Sequence, residues 1–339
     1  MGMLIDGQWS TQDNIIKDGV YQRAASPLRV DNIEEVAQKI SERPKNYWLI
    51  GSKSCPWCHR ILLMRALKRL PLLVHHAFGE RVEGYALNGG KQWIVPGSLV
   101  SARHMHEVYT LHDPNYTGRV TVPVLWDIDC QRIISNESAD ILAILDAVKC
   151  NKEFDFTLRP VAYLDKIESA NVKVYNGLNN AVYQAGFAES QSAYDDAIST
   201  VFETLDDLER RLAGSRYYFG SVVTETDLRL FPTLVRFDAI YAILFKCSLR
   251  RLTDYPNLWA YARDLFALNG AGEAVDFDQM RQASYLADAR QTHPIIAVAP
   301  DVDWRAPHAR SELGPTKLTM RSGETRVVCP TTFAPLAND

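Results

Sequence analysis

The sequence predicts an α/β domain with thioredoxin-like element order, followed by an all-helical domain. Three observations carry this reading. A strand–helix–strand order surrounds a CxxC motif between residues 46 and 78. A proline-containing strand and a further strand–helix pair follow between 119 and 149. Beyond residue 157 the apolar pattern is helical throughout, with no strand pattern recurring.

The elements follow in order. Residues 1–45 read as a polar, irregular N-terminal extension with one helical stretch, DNIEEVAQKISE. NYWLIGS (46–52) is aromatic and β-branched, hence a short buried strand. The CPWC motif comes next, and ILLMRALKRL behind it is apolar nearly all round, as a buried helix is. LPLLVHHAF (70–78) gives a second strand. After an irregular insertion of about thirty residues, RVTVPVLWD (119–127) gives a third, and RIISNESADILAILDAVK (132–149) runs from strand into helix. In SAYDDAISTVFETLDDLERRL, Tyr194, Ala197, Ile198, Val201, Phe202, Leu205, Leu208 and Leu212 share one face at helical spacing. TETDLRLFPTLVRFDAIYAILFK opens with Thr224 and Asp227 three apart, a capping box with Asp in place of Glu. DYPNLWAYARDLFALNG ends at Gly270, a helix stop. The expected boundaries are 1–45 for the extension, 46–150 for the thioredoxin-like domain, 157–300 for the helical domain and 301–339 for an irregular tail rich in Pro, Arg, Ser and Thr.

Composition narrows the function classes. The chain has 339 residues, 47% of them hydrophobic, which suffices for a real core. With 37 basic and 41 acidic residues the net charge is −4, and there is no dense Lys/Arg block, so nucleic acid is not expected as a partner. No apolar run approaches the ~18 residues of a membrane helix. The segment MGMLIDGQWSTQDN lacks the layout of a secretory signal, so a cytoplasmic location is expected. Six cysteines, at 55, 58, 130, 150, 247 and 329, do not form a disulfide framework in a chain of this length.

The motif SCPWCHR admits three readings. CxxCH is a haem-attachment signature, CxxC is half a zinc site, and CxxC ahead of a helix is a redox thiol site. Haem attachment fits poorly with a buried helix and no export signal, and no second axial ligand stands out. Zinc needs four ligands, and neither the isolated cysteines nor the pairs His75/His76 and His104/His106 have a complementary spacing. No metal and no haem are therefore expected. The thiol reading has a mechanism: a cysteine at a helix mouth faces unpaired N–H groups and the positive end of the dipole, which favour thiolate. Pro56 suits the first turn. Cys55 is the nucleophile on this reading, His59 a bystander, and Cys58 either a packed thiol or a resolving one.

NYTGRVTVPVLWD (115–127), SNESADIL (135–142), NNAVYQAGFAESQSAYDDA (179–197) and TETDLRLFPTLVRFDAIY (224–241) resemble the glutathionyl-hydroquinone reductases, the Xi class of glutathione transferases. The resemblance spans about residues 46–300. It implies a glutathione-transferase-like fold, a homodimer, and glutathione as co-substrate in removing glutathione from aromatic glutathionyl-hydroquinones. Carried over residue by residue, it implies Cys55 as catalytic cysteine, Val122 presenting its backbone to glutathione ahead of a cis Pro123, and Glu137 and Ser138 at the γ-glutamyl end. It further implies Arg119 on a glutathione carboxylate and Trp93 packing on the tripeptide. Tyr183 and Tyr285 are implied as the hydroquinone-site phenols. The segment around Tyr285 departs from the family, with Leu286 for a second aromatic and Asp288–Ala289 for a Ser–His pair.

The family usually has alanine where this chain has Cys58. A thiol there leaves open a glutaredoxin-like or Omega-class thiol transferase, or a dehydroascorbate reductase, using the Cys55/Cys58 pair. A non-catalytic binding module of the same fold is the third possibility, against which Cys55, the proline strand and Glu137–Ser138 all stand together.

Overall fold

The computed structural model describes residues 2–12, 15–23, 25–286 and 295–333. At its centre the strand Tyr47–Gly51 pairs in parallel with Leu73–His76, Trp48 facing Leu73 and Gly51 facing His76. On its other side it pairs antiparallel with Val124–Asp127, which in turn pairs with Arg132–Ser135 across a bulge between Leu125 and Trp126. Side chains alternate across a strand. Leu49 and Leu125 accordingly enter one core, whereas Ile50, Val124 and Trp126 enter another on the opposite face.

Four helices belong to this part: α1 (Ile33–Glu42), α2 (Pro56–Leu67), α3 (Met105–His112) and α4 (Ser138–Ala147). α2 is buried nearly all round, including His59 and Arg60, because α4 lies on one side of it and the helical domain on the other. The helical domain holds α5 (Leu164–Val174), α6 (Ala181–Gly186), α7 (Gln191–Leu212), α8 (Glu225–Leu234), α9 (Ala242–Leu244), α10 (Pro256–Phe266) and α11 (Phe277–Leu286). α7 buries the predicted face through Ala197, Val201, Phe202, Leu205, Leu208 and Leu212. No helix among the described residues is long and apolar enough to cross a membrane.

The long helix read over 224–246 is instead broken by a π turn at Phe237–Tyr241. At its start the capping box forms as read. Asp227 is fully buried and accepts from Thr224 N (2.8 Å), Tyr218 N (2.9 Å) and the Tyr261 hydroxyl (2.6 Å). With the Thr224 hydroxyl at 3.0 Å as well, Asp227→Ala would orphan four buried donors at once. Chemical denaturation should then show a loss of about 2–4 kcal/mol with an unchanged denaturant slope.

Two expectations need correction. The extension is not irregular: Met3–Ile5 pairs with Gln8–Ser10 and with Gly118–Arg119, and Ile16–Lys17 forms a hairpin with Val20–Tyr21. Nor is the tail loose. Lys317–Met320 pairs with Phe156–Thr157 and with Thr325–Val327, Arg310 and Leu318 are buried, and Phe333 packs edge-on against Phe156 at 5.7 Å. The absence of strands beyond 157 is overturned by the same sheet. Such strands, two to four residues long, carry too little alternation to be read without their partners.

Candidate active site

Cys55 sits at the N-cap of α2 in an extended conformation, with Pro56 as the first helical residue. Its amide donates to Ser52 O at 3.1 Å, and its carbonyl accepts from His59 N at 3.0 Å. The Val122–Pro123 bond is cis, and the Val122 carbonyl lies 3.6 Å from Cys55 Sγ. Burial alone would raise the Cys55 thiol. The Cys58 thiol and amide, the Arg23 charge and the Trp57 amide outweigh it and bring Cys55 down to about 6. Cys58 moves the opposite way, well above the usual thiol range, through burial and the neighbouring Cys55 sulfur. Ser52 N donates to Cys58 Sγ at 3.4 Å, and a Cβ on Gly51 would come within 3.2 Å of that sulfur.

The loop carrying Cys55 is held from the helical domain. Arg236, 1% exposed, donates to the Lys53 carbonyl (3.0 Å), the Ser54 carbonyl (3.3 Å) and the Pro232 carbonyl (2.8 Å). It also meets His59 Nδ1 at 2.9 Å. Burial, aided by the Arg236 charge, holds His59 well below the usual histidine range, so a neutral ring accepts that bond. His59 is thus not a bystander but part of the brace behind the catalytic loop.

Cys55 opens onto a cavity of about 340 Å³ lined by the aromatic residues Tyr21, Trp57, Tyr183, Phe187 and Phe245 and by Arg81, Tyr85, Arg119 and Val122. Tyr183 faces Phe187 in parallel at 6.3 Å, Trp57 at 6.3 Å and Phe245 edge-on at 5.3 Å. This is a flat-walled aromatic chamber. Burial keeps the Tyr183 phenol protonated, well above its usual range. A second cavity of about 310 Å³, lined by Met3, Ser26, Thr117, Asn136 and Glu137, shares Ile15, Arg23, Arg119 and Thr121 with the first. Glu137 is the N-cap of α4, accepting from Ala139 N at 3.1 Å and from the Ser138 hydroxyl at 3.4 Å. Cationic Arg23 and Arg119 with anionic Glu137 make this half fit a zwitterionic peptide that carries carboxylates and an ammonium.

The structure therefore brings Cys55, Cys58, Val122, Arg119, Glu137, Ser138 and Tyr183 together. Trp93 and Tyr285 are not among the residues that line the Cys55 cavity. Trp93 stacks on His75 at 3.9 Å at the edge of the sheet, because the insertion presents Arg81 and Tyr85 to the cavity instead. Tyr285 is 3% exposed and its hydroxyl donates to the Ala239 carbonyl at 3.3 Å, while its neighbours Ala283 and Ser284 line the cavity. Leu286 is exposed, and Asp288 and Ala289 lie outside the described residues.

Sequence reasoning missed Arg23, Trp57, Tyr85 and Arg236. Arg23 comes from the extension, and its guanidinium sits 4.3 Å from the Trp57 ring centroid. Nothing in a polar stretch marks such a residue. Its charge favours the Cys55 thiolate, so Arg23→Gln should move the Cys55 titration upward. Alkylation by iodoacetamide should slow roughly two- to tenfold near pH 6 and match the parent chain near pH 9.

Comparison with known proteins gives the family. Residues 54–148 match the glutathione S-transferase N-terminal domain and 191–264 the glutathione S-transferase C-terminal domain. The chain is 42% identical over 271 residues to glutathionyl-hydroquinone reductase PcpF of Sphingobium chlorophenolicum, covering 76% of this chain and 83% of the relative. It is 38% identical over 328 residues to glutathionyl-hydroquinone reductase YqjG of Escherichia coli, covering 91% and 98%. Among solved structures, the Xi-class transferase of Natrialba magadii superposes with a TM-score of 0.80 at 34% identity, over 92% of this chain and 98% of the other. Glutathione-bound YqjG gives 0.71 at 38% identity, over 78% and 88%.

Proposed function

The chain belongs to the glutathionyl-hydroquinone reductases, the Xi class of glutathione transferases, and from that membership we propose that it removes glutathione from glutathionyl-hydroquinones through Cys55. The observation that carries this is the thiol, lowered to about 6, lining an aromatic cavity that shares Arg23 and Arg119 with an ionic, peptide-sized one.

In the proposed reaction the glutathione moiety lies in the ionic cavity, Arg119 on a carboxylate, Glu137 on the α-ammonium and the Val122 backbone on its cysteinyl unit. The Ser138 hydroxyl orients Glu137 from α4. The hydroquinone ring lies in the aromatic chamber beside Tyr183. The Cys55 thiolate attacks the glutathione sulfur and the C–S bond breaks. The ring carbon keeps the bonding pair and takes up a proton, which the Tyr183 phenol helps deliver by donating to the ring oxygen. Hydroquinone leaves, and Cys55 is joined to glutathione as a mixed disulfide. A second glutathione thiolate attacks that disulfide, so oxidised glutathione leaves and the Cys55 thiolate returns. Two sulfurs are oxidised and one aromatic carbon is reduced, so the electrons balance with no further cofactor. Trp93 and Tyr285 have no role in this scheme.

A second reading rests on Cys58 as the neighbour that helps lower the Cys55 thiol: Cys58 resolves the mixed disulfide from within, as in a thiol transferase. The raised Cys58 thiol opposes it, since exchange requires thiolate. Cys58→Ala should keep hydroquinone release within a few-fold of the parent, measured by chromatography with oxidised glutathione formed one-to-one. Loss of turnover in Cys58→Ala would favour the dithiol route. No turnover by the parent chain would leave only a binding module. In the same reading the protein works in the cytoplasm, where its six cysteines would stay free as they are here. It also works as a homodimer, for which sedimentation should give twice the 38.3 kDa chain mass.

A further inference from the structure

The stretch that carries Arg81 and Tyr85 to the Cys55 cavity holds Glu83 between them, turned away toward α3. His104 is the N-cap of α3 and His106 lies in its first turn. Glu83 Oε2 is 2.9 Å from His106 Nε2 and 3.7 Å from His104 Nδ1. Among the described residues this is the one place where three such donors converge, with one ligand atom from each residue lying within 4.8 Å of the others. Sequence spacing could not show it, because the carboxylate comes from a different loop than the histidines.

The donors are held by backbone and rings, not by one another alone. Leu87 N donates to Arg103 O at 2.7 Å and Met105 N to Tyr85 O at 2.8 Å, which fastens the Glu83 stretch to the histidine-bearing segment. Trp9 from the extension stacks on His106 at 5.1 Å, and the two imidazoles lie parallel at 5.7 Å and 7°. Gly84, at φ +75°, leaves room for the same Trp9 ring, which a Cβ would meet at 2.9 Å. Both histidines are mostly buried, at 18% and 14% exposed, whereas Glu83 at 46% leaves one side open to water.

A tetrahedral ion with bonds of about 2.0–2.2 Å needs donors roughly 3.2–3.6 Å apart, a spacing these atoms bracket. Two imidazoles, one carboxylate and an open fourth position suit a borderline divalent transition ion rather than calcium or magnesium. We propose that Glu83, His104 and His106 bind a divalent ion of the zinc class. The bound ion pins the 81–86 stretch to α3 and so fixes Arg81 and Tyr85 at the Cys55 cavity. Arg81 already reaches that loop, donating to Ser54 Oγ at 3.3 Å and lying 4.1 Å from the Tyr85 ring centroid.

The test uses the full chain carrying Cys55→Ser and Cys58→Ala, which removes the paired thiols as competing zinc ligands. Titration with Co²⁺ should give one saturable equivalent with visible d–d absorption, no sulfur charge-transfer band in the near ultraviolet, and displacement by Zn²⁺. Glu83→Gln and His106→Gln, each added to that background, should weaken binding roughly tenfold or more. Both should also abolish the rise in thermal midpoint that Zn²⁺ gives the parent. Glu83 is half-exposed on a loop, so its variant keeps the fold and reads the site directly. Binding untouched by either substitution, a sulfur charge-transfer band, or no saturable binding in the micromolar range would each overturn the proposal.

Discussion

Cys55→Ser is expected to remove hydroquinone release by roughly a thousandfold or more while leaving glutathione binding nearly intact. The thiol lies near 6 and is largely ionised at pH 7.5, whereas a serine hydroxyl in the same place is not. Serine is also slightly smaller, so it fits the space that the thiol occupies 3.6 Å from the Val122 carbonyl. The loss therefore falls on turnover, not on the ionic cavity formed by Arg23, Arg119 and Glu137. Isothermal titration with glutathione separates the two: unchanged binding with absent turnover is the expected pair. The parent chain should follow the thiolate in its pH profile, its rate rising through about pH 6 as Cys55 loses its proton.

Arg236→Met is expected to lower both stability and turnover, the stability by about 3–5 kcal/mol. Methionine fills much of the volume but donates nothing. The carbonyls of Lys53, Ser54 and Pro232 and the Nδ1 of His59 would each lose the guanidinium, at a buried position. Two of those carbonyls belong to the loop that sets the Cys55 position, so the loss of turnover is expected to come from a displaced Cys55. Urea unfolding gives the stability loss. The rate of Cys55 alkylation, measured where the variant is still folded, gives the effect on the site. A variant that loses stability but alkylates at the parent rate would show that Arg236 only joins domains.

The parts of this architecture legible in the sequence are those with long periodicity or special backbone chemistry. α7 shows its buried stripe over six turns, α2 its all-round apolarity, and Thr224–Asp227 its reciprocal cap, so each was readable without partners. Cys55 was legible because a helix mouth and a following proline impose the same chemistry wherever they occur. The extension and the tail were not, since Met3–Ile5 and Lys317–Met320 are strands only because Gly118–Arg119 and Phe156–Thr157 lie beside them. Arg23 and Arg236 are single charged residues whose neighbours are brought close by the fold alone. In the insertion, no local pattern ranks Trp93 against Tyr85, and the chain presents Tyr85 to the cavity while Trp93 stacks at the sheet edge. Tyr285 sits one residue beyond the cavity-lining Ala283 and Ser284, a difference set by helical phase.

The central claim is a covalent intermediate between Cys55 and glutathione. Intact-protein and peptide mass spectrometry, after mixing the chain with a glutathionyl-hydroquinone and no free glutathione, reads it most directly. One glutathione on Cys55 with one equivalent of hydroquinone released is the predicted result. Hydroquinone released while Cys55 stays a free, unmodified thiol, or an unmodified Cys55 with the substrate intact, would contradict it.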